Sequence, residues 1–162
     1  MLIVADSARI SHLADIEDSV RGSRIVLEDG VVIDSFVKVK PAGGSGDLRI
    51  GRNSVINSGT VIYLGNGVTI GCGVAIAANC TLAPVNHAYR DRSRPIREQG
   101  FLPSRGGILI EDDVWIGANA VLLDGACLRH GCVVGAGALV RGELPPYSIN
   151  VGSPARTIGY RT

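Results

Sequence analysis

An aliphatic residue returns at every sixth position through the C-terminal third of the sequence, and a Gly, Asn or Asp follows three positions later. The aliphatic series is Ile110, Ile116, Leu122, Leu128, Val134 and Val140, and the series that follows it is Asp113, Asn119, Gly125, Gly131 and Gly137. Gly, Asn and Asp tolerate a left-handed backbone conformation in which a β-branched residue would be strained. Each six-residue unit therefore predicts a short strand, whose side chains alternate inward and outward, followed by a tight corner.

The same pattern extends toward the N-terminus. Its earlier aliphatic members are Ile50, Ile56, Ile70, Ile76 and Leu82, with a weaker extension at Val4, Ile10 and Ile16. A fixed short period is typical of a parallel β-helix, and three such units per turn make a coil of 18 residues. The period predicts that Ile110 stacks on Leu128 and Ile116 on Val134. Amphipathic helices would instead repeat apolar residues at spacings of three and four, so we expect an all-β chain with almost no helix before residue 150.

Interruptions of the repeat divide a single domain into parts. Two stretches of regular coils are separated by a polar, charged segment that is too long for a corner. Loops of that length in a compact repeat are usually functional or disordered, and on a solenoid this one can only project outward. A Gly-rich segment at 40–48 lacks the glycine spacing of phosphate-binding motifs and predicts a plain loop. Within the domain, 1–162, the expected parts are irregular N-terminal coils (1–49), regular coils (50–87 and 108–145), a projecting loop (88–107) and a C-terminal tail (146–162).

Composition argues against several classes of function. The net charge is +1 with no basic block, so binding to nucleic acid or to an anionic membrane is not indicated. No apolar run is long enough for a transmembrane helix, and residues 1–6 lack the features of a signal peptide. The four cysteines show no CxxC spacing, and Cys80 and Cys132 occupy the small inward position of the repeat. We expect buried thiols in a reducing cytoplasm rather than a metal site or disulfides.

The sequence contains three histidines. His12 and His130 fall in predicted corners, where side chains normally face solvent. His87 lies at the root of the projecting loop, directly after the last regular strand that precedes it. A histidine there is consistent with a catalytic base and with an ordinary polar residue in a turn, and the local residues alone do not decide between the two.

Motifs around this loop and near the C-terminus resemble those of a known family. The matching segments are Asn86-His87, IEDDVWIGAN (110–119), VGAGALVRGELPPY (134–147) and GSPAR (152–156). In this order they resemble the hexapeptide-repeat acyltransferases, and most closely the galactoside, maltose and exopolysaccharide O-acetyltransferases. The resemblance covers residues 50–158, whereas residues 1–49 match only as repeat.

This resemblance implies a left-handed parallel β-helix that assembles as a homotrimer, with acetyl-CoA bound between subunits. It implies transfer of an acetyl group to a hydroxyl of a sugar or polysaccharide precursor, without a metal. In the family, a histidine at the loop root removes the proton of that hydroxyl, and the matching residue is His87. Asn86 would orient the site, contact the acceptor or serve only in the turn. The implied cofactor-binding residues are Ala118 and Ala136 for the pantetheine arm, and Arg141 and Arg156 for the phosphates.

Three alternatives stay open. An N-acyltransferase of a nucleotide-linked amino sugar could use the same fold. A γ-type carbonic anhydrase would bind zinc through three histidines, but a zinc site needs converging ligands, and His12, His87 and His130 are far apart in the sequence. A non-catalytic β-helix would have no need of Asn86-His87 or of the long loop.

Overall fold

The computed structural model describes residues 1–162, which are built almost entirely into short strands. Twenty-one strands, β1 to β21, form three sheets, and the single helical element is a 3₁₀ turn at Ile96–Glu98. No helix is long and apolar enough to cross a bilayer. Neighbouring strands run parallel except for the last pair. The chain winds as a triangular solenoid, which confirms the parallel β-helix predicted from the six-residue period.

Each side of the triangle is one sheet, and we name the corners by the sheets that they join. Sheet A contains β1 (Leu2–Val4), β4 (Ile25–Leu27), β7 (Leu48–Ile50), β10 (Val68–Ile70), β13 (Ile108–Ile110), β16 (Cys127–Leu128) and β19 (Glu143–Leu144). Sheet B contains β2 (Arg9–Ile10), β5 (Val32–Ile33), β8 (Val55–Ile56), β11 (Ala75–Ile76), β14 (Trp115–Ile116), β17 (Val133–Val134), β20 (Ser148–Val151) and β21 (Arg156–Tyr160). Sheet C contains β3 (Asp15–Ile16), β6 (Lys38–Lys40), β9 (Val61–Tyr63), β12 (Thr81–Ala83), β15 (Val121–Leu123) and β18 (Leu139–Val140).

Parallel pairing stacks equivalent aliphatic residues along the solenoid axis. Ile110 pairs with Leu128 and Ile116 pairs with Val134, as the 18-residue coil predicts. All four side chains are fully buried. The core contains aliphatic residues, alanine and cysteine but no aromatic ring, because a triangle whose sides are two or three residues long has no room for one.

The corners adopt the left-handed backbone conformation that the sequence predicts. Asn53, Asn79, Asp113 and Asn119 have φ between +58° and +60°. Gly59 (φ +73°) illustrates why some corners take glycine, since a Cβ there would lie 2.2 Å from Asn79 Oδ1 of the next coil. The corner residues therefore determine both the turn of the chain and how closely successive coils approach.

The N-terminal coils are more regular than their sequence predicts. Residues 25–40 form a complete coil in register with the next one. Its inward residues Leu27, Ile33 and Val39 are each 1% exposed. One corner of this coil is Phe36, which adopts φ +63°, so the sequence signal of Gly, Asn or Asp is missing although the geometry is retained. The stack does not change in character at residue 50, and its irregularity lies in longer C–A corners at 17–24 and 41–47.

The cysteines follow the prediction for inward small residues. All four are free thiols, and Cys80 and Cys132 are fully buried. Burial raises the pKa of the Cys132 thiol to about 11. These two thiols are therefore protonated at neutral pH and act as small apolar core residues.

Candidate active site

The long loop interrupts the six-residue repeat of the sequence, but the coils on either side of it still stack on each other. Strand β10 pairs with β13, β11 with β14 and β12 with β15, so the coils on either side of the loop are direct neighbours. Leu82 stacks on Leu122 although 40 positions separate them. Residues 84–107 leave at the C–A corner after β12, return to the same corner before β13, and project outward between the two.

His87 lies at the root of this loop, where the outgoing and returning chains pair. His87 and Phe101 form an isolated antiparallel bridge, and Leu102 N donates to Asn86 O at 2.8 Å. The rings of His87 and Phe101 pack at a tilt of 48° with their centroids 4.6 Å apart. The returning chain thus holds the backbone of the histidine and covers one side of its ring.

The exposed imidazole of His87 opens into a shallow cleft of about 320 Å³. The other residues that line the cleft are Ala42, Gly43, Tyr63, Ala83, Val85 and Phe101. The imidazole packs on Phe101 and makes no hydrogen bond within the chain. Both ring nitrogens are therefore available to a molecule that enters this largely apolar cleft.

The Gly-rich loop at 40–48 contributes a wall of the same cleft. Gly65 N donates to Ala42 O at 3.0 Å, which ties the loop to the corner after β9. A Cβ on Gly43 (φ +83°) would lie 2.8 Å from Val85 Cγ1. Glycine at that position allows the loop to approach the residue just before Asn86, so the segment predicted as a plain loop shapes the candidate site.

Asp124 anchors the returning end of the long loop, a role that the sequence pattern does not reveal. Its side chain is buried, with 2% of the residue exposed. Oδ2 accepts from Arg105 N at 2.8 Å, and Oδ1 accepts from Gly107 N at 2.9 Å. The equivalent corner residue two coils earlier is the buried Leu64. The only sequence signal for this role is that an acid occupies a corner position that is apolar in the earlier coil.

Arg141 and Arg156 lie on one cleft of about 260 Å³ near the C-terminal end of the solenoid. Arg141 follows β18 at a C–A corner, and Arg156 begins β21. Both are exposed and neither forms an ion pair, while the acid of this cleft, Glu143, is paired with Arg129 at 3.1 Å. The cleft presents two guanidinium groups without acidic partners, and their planar donors suit phosphate oxygens.

Ala118 and Ala136 stack on each other at the B–C corner. Gly137 N donates to Ala118 O at 2.8 Å. A Cβ on Gly117 would lie 2.5 Å from Ala136 N, so the small residues permit close contact between the coils. The N–H groups of Ala118 and Ala136 donate to no protein acceptor. This corner therefore offers two free backbone donors on neighbouring coils.

Comparison with known proteins identifies the repeat. Residues 107–142 match the family described as bacterial transferase hexapeptide (six repeats). The chain therefore contains hexapeptide repeats of this kind. It is 35% identical over 112 residues to galactoside O-acetyltransferase of Escherichia coli K12, a match that covers 69% of this chain and 53% of that protein. The chain spans between 38% and 53% of the length of the first curated relatives that it matches.

Solved structures of hexapeptide-repeat proteins share the fold. An acetyltransferase from Vibrio cholerae O1, complexed with acetyl coenzyme A, has a TM-score of 0.71 at 28% identity and covers 80% of this chain and 67% of its own. An N-acyltransferase from Bacillus cereus, in complex with dTDP-4-amino-4,6-dideoxyglucose and coenzyme A, has a TM-score of 0.82 at 23% identity and covers 99% of this chain and 84% of its own. The handedness implied by the resemblance is therefore confirmed: the solenoid is a left-handed parallel β-helix.

In this hexapeptide-repeat chain the predicted site residues fall into three groups. Asn86 and His87 share the C–A edge with the Arg141–Arg156 cleft, two coils away, which corresponds to roughly 10 Å at the usual strand spacing. The Ala118–Ala136 pair lies across sheet C, at the B–C corner. His12, at the B–C corner of the first coil, and His130, at an A–B corner, are exposed, as predicted. One chain alone does not bring all the predicted residues into one cleft.

Proposed function

We propose that this protein is an acetyl-CoA-dependent O-acetyltransferase that acts on a hydroxyl of a sugar or polysaccharide precursor. The observation that carries the proposal is the setting of His87, whose unpaired ring opens into a cleft walled by the stack, the Gly-rich loop and the long loop. Similarity to galactoside O-acetyltransferase supports the choice of a hydroxyl acceptor.

His87 would accept the proton of the acceptor hydroxyl as its oxygen attacks the acyl carbon. A sugar hydroxyl is a weak nucleophile, and a neutral imidazole within hydrogen-bond reach accelerates such a step by about 10²–10⁴-fold. Packing against Phe101 restricts rotation of the ring. Acetyl-CoA supplies the acyl group and a thiolate that leaves readily, so the chemistry needs no serine or cysteine nucleophile.

The lining of the cleft suits the ring of a neutral sugar. Tyr63 and Phe101 present aromatic faces, and Ala83 and Val85 add aliphatic surface. The C–H face of a pyranose packs well on such surfaces, while its hydroxyls can reach His87 and the half-buried Asn86. In this arrangement Asn86 would orient the acceptor, because its backbone oxygen is already used by Leu102 and its side chain is free.

Two groups of residues fit the chemistry of coenzyme A. The unpaired guanidinium groups of Arg141 and Arg156 would bind its phosphates. The free N–H groups of Ala118 and Ala136 would donate to the amide oxygens of its pantetheine arm. We propose these four residues as the cofactor-binding set, with His87 at the acyl end.

A homotrimer with sites between subunits would unite these groups. Sheet C separates the Ala118–Ala136 pair from His87 by the width of a strand of three residues, roughly 10 Å. From β9 onward the outer face of sheet C is largely apolar, and its half-buried side chains include Val61, Ala83, Val121, Leu123 and Leu139. Side-by-side packing of three chains would cover this face and place the B–C corner of one subunit beside the C–A corner of the next.

The four free thiols bear on where the reaction takes place. Unpaired cysteines persist in reducing compartments, and we therefore place the enzyme in the cytoplasm. Fractionation of cells that express the tagged protein measures this directly.

N-acylation of a nucleotide-linked amino sugar is the second candidate. The long loop contains Arg90, Arg92, Arg94, Arg97 and Arg105 but only two acids, and none of these arginines forms an ion pair within the chain. Arginines without acidic partners, on the loop whose Phe101 lines the cleft, suit the phosphates of a nucleotide. An amine acceptor would also depend less on a general base than a hydroxyl does.

Release of thiol from acetyl-CoA in the presence of an acceptor panel tests both candidates. The panel contains neutral glycosides and nucleotide-linked amino sugars, and calorimetry measures CoA binding separately. Turnover with hydroxyl acceptors is the expected result. Turnover only with amino sugars would replace the first proposal by the second, and a chain that neither binds CoA nor turns over would be a non-catalytic β-helix.

A further inference from the structure

The cleft beside His87 has few side chains that can form hydrogen bonds. Seven residues line it, and only the side chains of His87 and Tyr63 carry a nitrogen or oxygen atom. The other five contribute methyl groups, an aromatic ring or bare backbone, and they are Ala42, Gly43, Ala83, Val85 and Phe101. A sugar carries a hydroxyl on most of its carbons, so this lining limits which part of a sugar can be turned toward the wall of the cleft.

The aliphatic part of the wall and the histidine belong to one short segment. Ala83 ends β12, and Val85 and His87 follow it at alternate positions. All three line the cleft, as alternate residues of an extended chain do, whereas the intervening Pro84 is buried. The imidazole therefore lies beside aliphatic side chains on the same strip of wall.

Val85 is enclosed by backbone rather than by polar side chains. A Cβ on Gly43 would lie 2.8 Å from Val85 Cγ1, and a Cβ on Gly65 would lie 3.1 Å from Val85 Cβ. The two preceding C–A corners thus approach Val85 at positions where they have no side chain. A group of the acceptor that is turned toward Val85 meets aliphatic surface.

This surface distinguishes a methyl group from a hydroxymethyl group. A hydroxyl that loses its water and gains no hydrogen-bond partner is unfavourable, whereas a methyl group is stabilised by burial on an aliphatic surface. The ring hydroxyls of a hexose are fixed to the ring, and one of them has to reach His87. The exocyclic carbon is different, because it is a hydroxymethyl group in ordinary hexoses and a methyl group in 6-deoxy sugars.

We propose that the acceptor is a 6-deoxy sugar whose exocyclic methyl group packs on Ala42, Ala83 and Val85 while a ring hydroxyl meets His87. This proposal rests on the proposed function, since it takes the cleft beside His87 as the acceptor site. The methyl group of an acetamido sugar fits less well. It brings an N–H and a C=O that need partners, and Tyr63 carries the only hydroxyl of the lining.

Matched pairs of acceptors test the proposal. Each pair contains a methyl glycoside and its 6-deoxy form with the same ring configuration, so its members differ by one oxygen atom. The panel also contains N-acetylated sugars and amino sugars of both kinds. For the configuration that the wild type turns over best, kcat/KM should be about 10- to 100-fold higher for the 6-deoxy member, since an apolar pocket rejects an added hydroxyl by about this factor. Equal values within the pair, or a preference for the hydroxymethyl or the N-acetylated sugar, would overturn the proposal.

Val85→Thr tests whether this wall is responsible for the preference. Threonine keeps the shape of valine and adds a hydroxyl, so the ratio of kcat/KM within the pair should fall by about 2- to 10-fold, which corresponds to one neutral hydrogen bond. Ala83→Ser adds a hydroxyl to the same wall and should act in the same direction. Val26→Thr makes the first change on a half-buried residue of the outer face of sheet A and should leave the ratio unaltered. An unchanged ratio in both wall variants would show that another part of the site selects the exocyclic group.

The same panel separates this proposal from the proposed function. A protein that transfers no acetyl group to any sugar refutes the proposed function, and the proposal on the acceptor falls with it. Turnover of hydroxyl acceptors without a preference for the 6-deoxy members refutes the present proposal alone. If only amino sugars are acetylated, O-transfer is refuted, and the 6-deoxy and 6-hydroxy amino sugars of the panel decide the question of the methyl group by the same ratio.

Discussion

The coil at 108–123 and the loop that precedes it are consecutive in the chain but are stabilised in different ways. In the coil, inward residues are fully buried and each strand has a parallel partner on both sides. In the loop, residues 89–98 are exposed. Its tip is held by its own polar contacts, such as Gln99 Nε2 donating to Asp91 O at 2.8 Å. The loop meets the stack mainly at its two ends.

This difference separates the residues that stabilise the fold from the residues that form the candidate site. The stack repeats one packing arrangement, so its geometry is rigid and its inward side chains are buried in the core. The loop has few apolar contacts, and surface segments of this kind generally tolerate changes of sequence and length. His87 lies at the boundary, where a rigid coil positions the histidine and the loop supplies Phe101 to hold its ring. Substitutions in the stack, in the loop and at the boundary should therefore have distinct effects.

At the boundary, His87→Ala should abolish most activity without affecting the fold. The rate of acyl transfer should fall by about 10²–10⁴-fold, mainly in kcat, because the imidazole acts on a proton that moves only in the transition state.

His12→Ala, at an exposed corner of the first coil, is the matched control and should retain normal turnover. Thermal unfolding of both variants should match the wild type. Near-normal turnover of His87→Ala on a hydroxyl acceptor would move the site elsewhere.

Within the stack, Leu122→Ala should cause a large loss of stability. Leu122 is fully buried, and removal of a buried leucine side chain lowers the free energy of unfolding by about 2–5 kcal/mol. In the loop, Ile96→Ala removes a similar volume from a residue that is 56% exposed, and its effect should stay within about 0.5 kcal/mol. Denaturant unfolding measures both, and equal losses would show that the loop shares the core of the stack.

Asp124→Asn should loosen the loop while leaving the stack intact. Asn can accept from one of the two backbone donors, at Arg105 and Gly107, and turns its amino group toward the other. An unsatisfied buried donor costs about 1–3 kcal/mol, so local opening should increase.

Cleavage by trypsin measures this opening, because trypsin cuts after arginine and the loop contains five arginines. Cleavage in the loop should accelerate, and turnover should fall less than in His87→Ala. Asp112→Asn is the control, since Asp112 accepts from Cys72 N at 2.7 Å away from the loop. Unchanged proteolysis of the Asp124 variant would argue against the anchor.

The smallest effect should come from Arg129 on the outer face of sheet A. Hydrogen bonds from its guanidinium lower the pKa of both Glu111 and Glu143. A carboxyl with a lowered folded-state pKa stabilises the fold above its unfolded value, near 4.5, and that contribution is lost as pH falls through the folded value. Arg129→Met should therefore be slightly less stable than the wild type at neutral pH, and the difference should vanish in acid.

Arg97→Met provides the comparison in the loop. Arg97 is exposed and has no acidic partner, so its removal should change stability equally little at every pH. Unfolding curves at neutral and acid pH check both variants. A difference for Arg129→Met that persists in acid would indicate packing of the side chain rather than ion pairing.

Register and corner positions follow from the sequence alone because both are local. A six-residue period places every aliphatic residue on the inner face, and a Gly, Asn or Asp three positions later specifies the turn. Phe36 and Tyr147 escape this rule. Both adopt a left-handed φ, at +63° and +57°, because the neighbouring segments already impose the corner on whichever residue stands there.

The position of His87 at a loop root is likewise visible in the sequence, since it depends only on where the repeat stops. The walls of its cleft are not visible. Gly43, Tyr63 and Phe101 are distant in the chain, and only the stacking of coils brings them to one corner. Asp124 is hidden for the same reason, because its partners at Arg105 and Gly107 are known only once the loop has returned to the stack. Periodicity determines what each coil looks like, whereas contacts between a coil and an irregular segment depend on the path of the chain in space.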